Sequence, residues 1–437
     1  MDLLRNLFKG DRVIWMIFTI LCVTSVVEVF SASSTLTYNT GDHLHPISTH
    51  LGLIMLGGFF AFLFHKIPCK WFGTFILLLP LSWIALASVL ILGAFTNGAK
   101  RWIELGGIQF QPSEFAKMGT IISVAFILSL FQEEEGTNKK AFKYIMIVTG
   151  VTCALIVTEN LSTAVLLAVS VFMMMFVGRV PYKQLGKLVL IGIAFVGSLM
   201  LVIQVVPSET WDKIGVHRMV TWKNRFNDHF NTKEIPAAKF DIDNDAQVAH
   251  ANIAIATSHI IGKGPGNSVQ RDFLSQAFSD FIYAIIIEEL GLIGGAAIAI
   301  LYIVLLMRIG KIARNCDKSY YAFLVMGFGI LIATQAMFNM LVAVGIMPVT
   351  GQPLPLISKG GTSTIVNCIY IGMILSISQH VNKLKEEQQQ QENEALQRQA
   401  EIQKAAIELI QNASNQATVS DQNSSEVDKM NKEETIK

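Results

Sequence analysis

Asp280 is the residue around which a chemical reading of this chain can be built. It lies in the stretch from Gly262 to Gly295, GKGPGNSVQRDFLSQAFSDFIYAIIIEELGLIGG, where a polar, glycine-rich segment gives way to a long apolar run. An ionisable group at a membrane boundary costs roughly 2.5–3.5 kcal/mol or more to bury, so it is retained where something pairs or uses it. Two roles suit an aspartate there: a carboxylate that does chemistry, or a cap that, with Ser279, satisfies free N–H groups of the helix that follows. The residues alone leave both open. Glu288 and Glu289 lie two to three helical turns further on, inside the apolar run. Two adjacent carboxylates facing lipid would be prohibitive, so at least one must meet a polar cavity or a partner, and structural pairing is the expected role.

Charged groups recur in two other stretches. NGAKRWIELGGIQFQPSEFAK (Asn97 to Lys117) contains Lys100 and Arg101, then Glu114 and Lys117, which at a spacing of three share a helix face and can form an ion pair. TGQPLPLISKGGTSTIVN (Thr350 to Asn367) contains Ser358 and Lys359, followed by Gly360 and Gly361, whose missing side chains let the backbone come close to a ligand or a neighbouring helix.

The elements that position these groups are membrane spans. With 52% hydrophobic and 15% charged residues in 437, the chain has too little charge to cover a soluble surface. Apolar runs at about 13–30, 50–65, 72–95, 113–131, 142–158, 161–178, 185–206, 281–307, 320–345 and 362–380 predict an all-α polytopic protein of ten spans. The first run is followed by Ser31-Ala32-Ser33, which imitates a signal-peptidase site. It is long for a signal sequence and contains Glu28, so an uncleaved anchor is expected.

Lys66 and Lys70, then Lys139, Lys140 and Lys143, then Arg179, Lys183 and Lys187, then Arg308, Lys311, Arg314 and Lys318 all follow even-numbered spans. The excess of basic residues in cytoplasmic loops therefore predicts that both termini are cytoplasmic. Lys100 and Arg101 break this pattern on the outer side, through simple tolerance in a short loop or through function.

A large outer loop, about 207–280, separates spans seven and eight and contains Trp211, Arg218, Trp222 and Arg225. Its length predicts helices of its own, and Ala246 to Ile261 has the apolar spacing of one. Asp241, Asp243 and Asp245 lack the glycine and distal glutamate of a calcium loop. The tail, 381–437, is rich in Gln, Glu and Lys; it is predicted to continue span ten as a helix and to lose structure after about Asn412. The five cysteines have no metal or disulfide spacing, and a net charge of +1 without a basic cluster excludes a nucleic-acid partner.

Taken in order, the three motifs resemble those of the SEDS family, the polytopic peptidoglycan polymerases that include RodA, FtsW and SpoVE. The resemblance covers about 1–380. The PLPLISKGGTS and GPGNSVQRDFLSQAFSDF wording is closer to the FtsW division branch than to the RodA elongation branch. The chain departs from the family's Pro-Asp-Leu-Gly-Thr turn before span six, where it has Glu159-Asn160-Leu161-Ser162-Thr163.

The resemblance implies an inverting glycosyltransferase of the bacterial cytoplasmic membrane, at the division septum, that joins lipid II units into β-1,4 glycan strands. The α-linked donor and β-linked product need one base and no enzyme nucleophile, and Asp280 matches the family's essential acidic position. Lys100, Arg101, Lys117 oriented by Glu114, Ser358, Lys359 and, in the large loop, Arg218 become candidates for contacting the substrate and its departing pyrophosphate. A divalent cation, Mg or Mn, is a second source of positive charge, with Asp280 as its ligand if one binds; no organic cofactor is implied. Expected partners are a class B penicillin-binding transpeptidase and other divisome membrane proteins. A lipid II flippase or a scaffold recruiting the transpeptidase would share the apolar composition, but the motifs cluster at the outer ends of spans four, eight and ten rather than tracing a path across the bilayer.

Overall fold

The structure, a computed structural model, describes residues 9–32, 45–92, 94–96, 99–105, 108–134, 136–205, 242–274 and 277–434. In chain order these form α1 (Arg12–Ala32), α2 (His45–Lys66), a 3-10 turn (Cys69–Leu77) running into α3 (Leu78–Leu92), then β1 (Ala94–Thr96), β2 (Ala99–Leu105) and β3 (Ile108–Phe110). Next come α4 (Pro112–Leu130), β4 (Gln132–Glu133), β5 (Gly136–Thr137), α5 (Lys139–Val157), α6 (Leu161–Val177) and α7 (Tyr182–Val205). The last elements are α8 (Ile242–Ala256), a short 3-10 turn (Gln270–Asp272), α9 (Ile282–Arg314), α10 (Ser319–Ala343) and α11 (Thr362–Glu434).

Among the described residues eight helices are long and apolar enough to cross a membrane: α1, α2, the Cys69–Val89 stretch, α4, α5, α9, α10 and the first part of α11. Helix α6 is apolar at 17 residues, and α7 is a further 24-residue helix at the place of span seven. The described residues are thus largely helical, with two departures from an all-α plan, the short β4-β5 pair between α4 and α5 and a larger one before α4. The segment before α4 is an antiparallel sheet ordered β1-β2-β3, with Leu105 opposite Ile108 across the Gly106-Gly107 pair. Gly-Gly between β-branched and aromatic residues is a hairpin signal, and it lies where the apolar runs predict only a connecting loop.

Two compact units divide the chain, Met1–His380 and Val381–Lys437. In the first, α10 packs against α9, α4 and α6, while α9 also packs against α1 and α8. Most of the length of α4, α10 and the apolar part of α11 is buried, whereas only a minor share of the most apolar stretch of α2, α3, α5 and α9 is, as expected of helices with a face toward lipid. The central helices are the ones that carry Glu114, Lys117, Gln335 and Asn339, all buried. Polar groups in apolar helices are affordable where neighbouring helices supply their partners.

The helix of the second unit continues to Glu434, beyond the Asn412 limit predicted from composition. No Gly or Pro occurs between 381 and 434, so nothing in the sequence forces a stop. In the large outer loop, α8 starts and ends some residues earlier than predicted. Its Ala251 and Ala254 are fully buried against the bundle.

Candidate functional site

Helix α9 begins at Ile282 with Phe281 as its N-cap and no side-chain cap bond, so Asp280 lies outside the helix and is not its cap. The Asp280 carboxylate, half-buried, accepts a hydrogen bond from Ser279 Oγ at 3.0 Å. Gly351, with φ +68°, closes against it: a Cβ added there would stand 3.6 Å from Asp280 Oδ2. The backbone of Asp280 is held from α10, where Asn339 Nδ2 donates to Asp280 O at 2.9 Å and to Gln352 O at 2.8 Å. Asn339 thus ties the Asp280 peptide to the Gln352 carbonyl at the mouth of α9.

One turn earlier on the same face of α10, Gln335 donates to Pro353 O at 2.9 Å and accepts from Lys117 Nζ at 3.2 Å. Lys117 also pairs with Glu114 at 2.8 Å, the two side chains being 1% and 5% exposed. The i,i+3 pair expected from spacing is therefore present in the first turns of α4, where Glu114 also complements the positive end of the helix dipole. Phe110 stacks on Phe115 at 4.7 Å, fixing the strand's entry into α4, and Gln111 N donates to Thr362 Oγ1 at 3.3 Å. Gln352 Nε2 reaches Thr163 Oγ1 at 2.9 Å, which ties in the start of α6. Asn160, at the family-divergent turn, caps α6 by accepting from Ser162 N and Thr163 N. A cap is a role that Asn fills as well as Asp.

The 353–361 turn lies beside the Asp280 segment. Ser358 Oγ donates to Ser279 O at 2.6 Å and accepts from Leu354 N at 2.7 Å, while Lys359 N donates to Phe278 O at 3.0 Å. Ser358, a predicted substrate contact, is buried with its single proton committed to the Asp280 segment. Lys359 is half-buried, with its ammonium 5.6 Å from the Phe278 ring centroid, and burial lowers its pKa below the ordinary lysine value. Lys100 and Arg101 sit in the backbone of β2; their side chains, like all of Arg218 and Arg225, lie outside the described residues.

Glu288 and Glu289 take the expected structural part. Both are fully buried. Glu288 pairs with Lys263 at 2.6 Å and accepts from Ser268 Oγ, Val269 N and Gln270 N, while Glu289 accepts from Gly266 N, Ser268 N and Ser31 Oγ. The GKGPGNSVQ motif is thus wrapped around two carboxylates of α9. Helix α9 breaks at Gly291, where φ is +73°. The backbone groups freed by the break are met by the same loop: Lys263 N and Gly264 N donate to Glu288 O and Glu289 O, and Leu292 N and Ile293 N donate to His259 O and Ile260 O.

Gln335 and Asn339 lie outside the three motifs. The signal available was two amides four apart in an otherwise apolar span.

Fold and site define a polytopic helical membrane protein in which an aspartate, a buried ion pair and a lysine are drawn together around the ends of α4, α9 and α11. The chain belongs to the FTSW_RODA_SPOVE family of cell cycle proteins, which matches residues 11–383. It is similar to the protein of Coxiella burnetii named "probable peptidoglycan glycosyltransferase FtsW", at 29% identity over 83% of this chain and 95% of that one. The protein of the same name from Haemophilus influenzae is 30% identical over 86% of this chain and 91% of its own length. Among solved structures, a chain of a peptidoglycan synthase complex that coordinates polymerization and crosslinking superposes with TM-score 0.63 at 24% identity, covering 85% of this chain and 98% of that one. The rod shape determining protein RodA of Thermus thermophilus gives TM-score 0.58 at 22% identity, covering 85% and 98%. These two share the fold.

Proposed function

We infer that this protein is a peptidoglycan glycosyltransferase that polymerises lipid II, and we propose Asp280 as its general base. The observation that carries the assignment is the arrangement at the mouth of α9: Asn339 clamps the Asp280 peptide, Ser279 Oγ donates to its half-buried carboxylate, and the residue stands just outside the helix between the Ser358 and Gly351 segments. In the reaction, the acceptor sugar's 4-hydroxyl gives its proton to Asp280 as its oxygen bonds to C1 of the donor. The C1–O bond to pyrophosphate breaks on the opposite face, and the lipid pyrophosphate leaves with the electron pair, inverting the anomeric centre. Lys117, aligned by Glu114 and Gln335, together with Lys359 and the cations Lys100, Arg101 and Arg218, is assigned to the phosphates, where charge develops.

Among the described residues no three His, Cys, Asp or Glu side chains form a metal-binding group. A Mg or Mn ion held by Asp280 and the substrate's own phosphates fits this donor set, because Mg commonly takes one or two carboxylates plus phosphate oxygens. Such an ion would add positive charge beside the leaving group.

Ten spans with both termini cytoplasmic, a septal site of action and a class B transpeptidase as partner complete the proposal. The FtsW names of relatives that align over most of the chain support the division branch, and the basic residues after even-numbered spans support the orientation. The test is polymerisation of labelled lipid II by the purified protein with its cognate transpeptidase, using wild type, Asp280→Ala and Asp280→Asn, each confirmed to fold and bind that partner. Glycan strands from wild type alone support Asp280, and cation titration then separates base from ligand. Normal strands from both variants would remove the assignment. A silent wild type that moves lipid II across liposomes would make it a flippase.

A further inference from the structure

Ser25 of α1 and His50 of α2 are fully or almost fully buried, and neither belongs to the motifs that mark the site. Ser25 Oγ lies 2.5 Å from Ile357 O and 2.9 Å from His50 Nε2. A hydroxyl has one proton, and a carbonyl oxygen can only accept. The Ser25 proton therefore goes to Ile357 O, and His50 must donate to Ser25 through Nε2–H. His50 Nδ1 is buried with no hydrogen-bond partner among the described residues, so the ring is tethered through Nε2.

The carbonyl held in this way sits at a strained and functionally crowded place. Leu356, the residue before it, has φ +65°, in the left-handed region that a branched side chain avoids, at a cost of about 1–3 kcal/mol when the surroundings enforce it. Tyr302 of α9 fixes the other side of Leu356 by donating from its hydroxyl to Pro355 O. The two residues after Ile357 make the bonds to the Asp280 segment, Ser358 Oγ to Ser279 O at 2.6 Å and Lys359 N to Phe278 O at 3.0 Å. Hydrogen bonds thus lead from His50 through Ser25 to Ile357, and the backbone carries the connection one residue on to Ser358, which bonds to the peptide next to Asp280. We propose that Ser25 and His50 are positioning residues for glycan polymerisation: they hold the 356–359 turn in its strained form and thereby set Lys359 and Asp280 relative to each other. This rests on the role proposed for Asp280.

The experiment uses the full chain with its transpeptidase partner. Ser25→Ala and His50→Leu remove the relay. Ser25→Thr keeps the hydroxyl, and His50→Gln keeps an N–H donor where Nε2 stands. Two readouts are taken: the kcat and KM for lipid II, and, without substrate, amide hydrogen exchange of the 353–361 peptide. The expected result is a kcat lowered by about 10- to 100-fold in Ser25→Ala and His50→Leu, the scale of an ångström-sized misplacement, with KM little changed. Exchange of 353–361 rises in both, and Ser25→Thr and His50→Gln recover most of the loss.

Wild-type exchange in Ser25→Ala overturns the proposal, as does raised exchange with undiminished kcat or a failure of both conservative variants to restore turnover. If Ser25→Ala or His50→Leu does not fold, the decision falls to Ser25→Thr and His50→Gln, whose 353–361 exchange and kcat must then stay close to wild type. Hydrogen exchange reports on the turn whether or not Asp280 is the base, so failure of the relay is distinguishable from failure of the catalytic assignment, which the Asp280 variants decide.

Discussion

Asp280 and Glu288 stand eight residues apart on one segment, and the protein treats their carboxylates in opposite ways. Glu288 is withdrawn from solvent and surrounded by the Lys263 ammonium, a hydroxyl and two backbone N–H groups. Asp280 remains half-buried, with its peptide fastened by Asn339 and its carboxylate against Gly351, where there is no side chain. A fully buried carboxylate surrounded by donors is a structural post; a half-buried one whose backbone is held by the scaffold is suited to chemistry, because the scaffold supplies the precision.

The sharpest way to break this contrast is at Asp280 itself. Asp280→Asn is expected to lower polymerisation by about 10²- to 10⁴-fold, the range for loss of a general base, with the thermal unfolding midpoint in detergent unchanged. Glu288→Ala should do the reverse. Removing one partner of a buried ion pair costs about 3–5 kcal/mol, read as a lowered unfolding midpoint, with turnover per folded molecule largely kept. Loss of turnover at wild-type stability would move Glu288 into the chemistry and erase the distinction.

Gly291→Ala tests the loop's hold on α9, since the added Cβ would meet Ile260 O at 2.2 Å in a φ +73° conformation. A cost of about 1–3 kcal/mol is expected, with faster proteolysis within 259–264. The smallest effect concerns Lys359. Its folded-state pKa lies below its unfolded one, so the unfolded chain binds more protons between the two values, and this residue's contribution to stability rises with pH across that window. Turnover that needs the ammonium falls as pH rises through the lowered value. Lys359→Arg should extend activity to higher pH, because Arg stays charged.

Much of the site was legible because its residues announce themselves locally. Glu114 and Lys117 share a face at a spacing of three, and Asp280 and Glu288 interrupt apolar sequence where no charge is free. What stayed hidden depends on partners far along the chain. Gln335 and Asn339 look like tolerated amides until Lys117 and Asp280 are placed against them, and Ser25 meets a carbonyl 332 residues away. The break at Gly291 was also invisible, since a glycine within an apolar run can be accommodated in a helix. Only the loop that inserts there makes the interruption stable.

That insertion has an evolutionary side. A Cβ on Gly262 would stand 2.3 Å from Gly291 N, and one on Gly291 would stand 2.5 Å from Gly262 N. At most contacts an enlargement on one side can be accommodated by a smaller neighbour, but here each residue meets the other's main chain, and neither has anything left to give up. No single substitution is cheap and no second one compensates it. Descendants of this sequence can therefore vary around the pair but not through it, unless the whole loop is rebuilt.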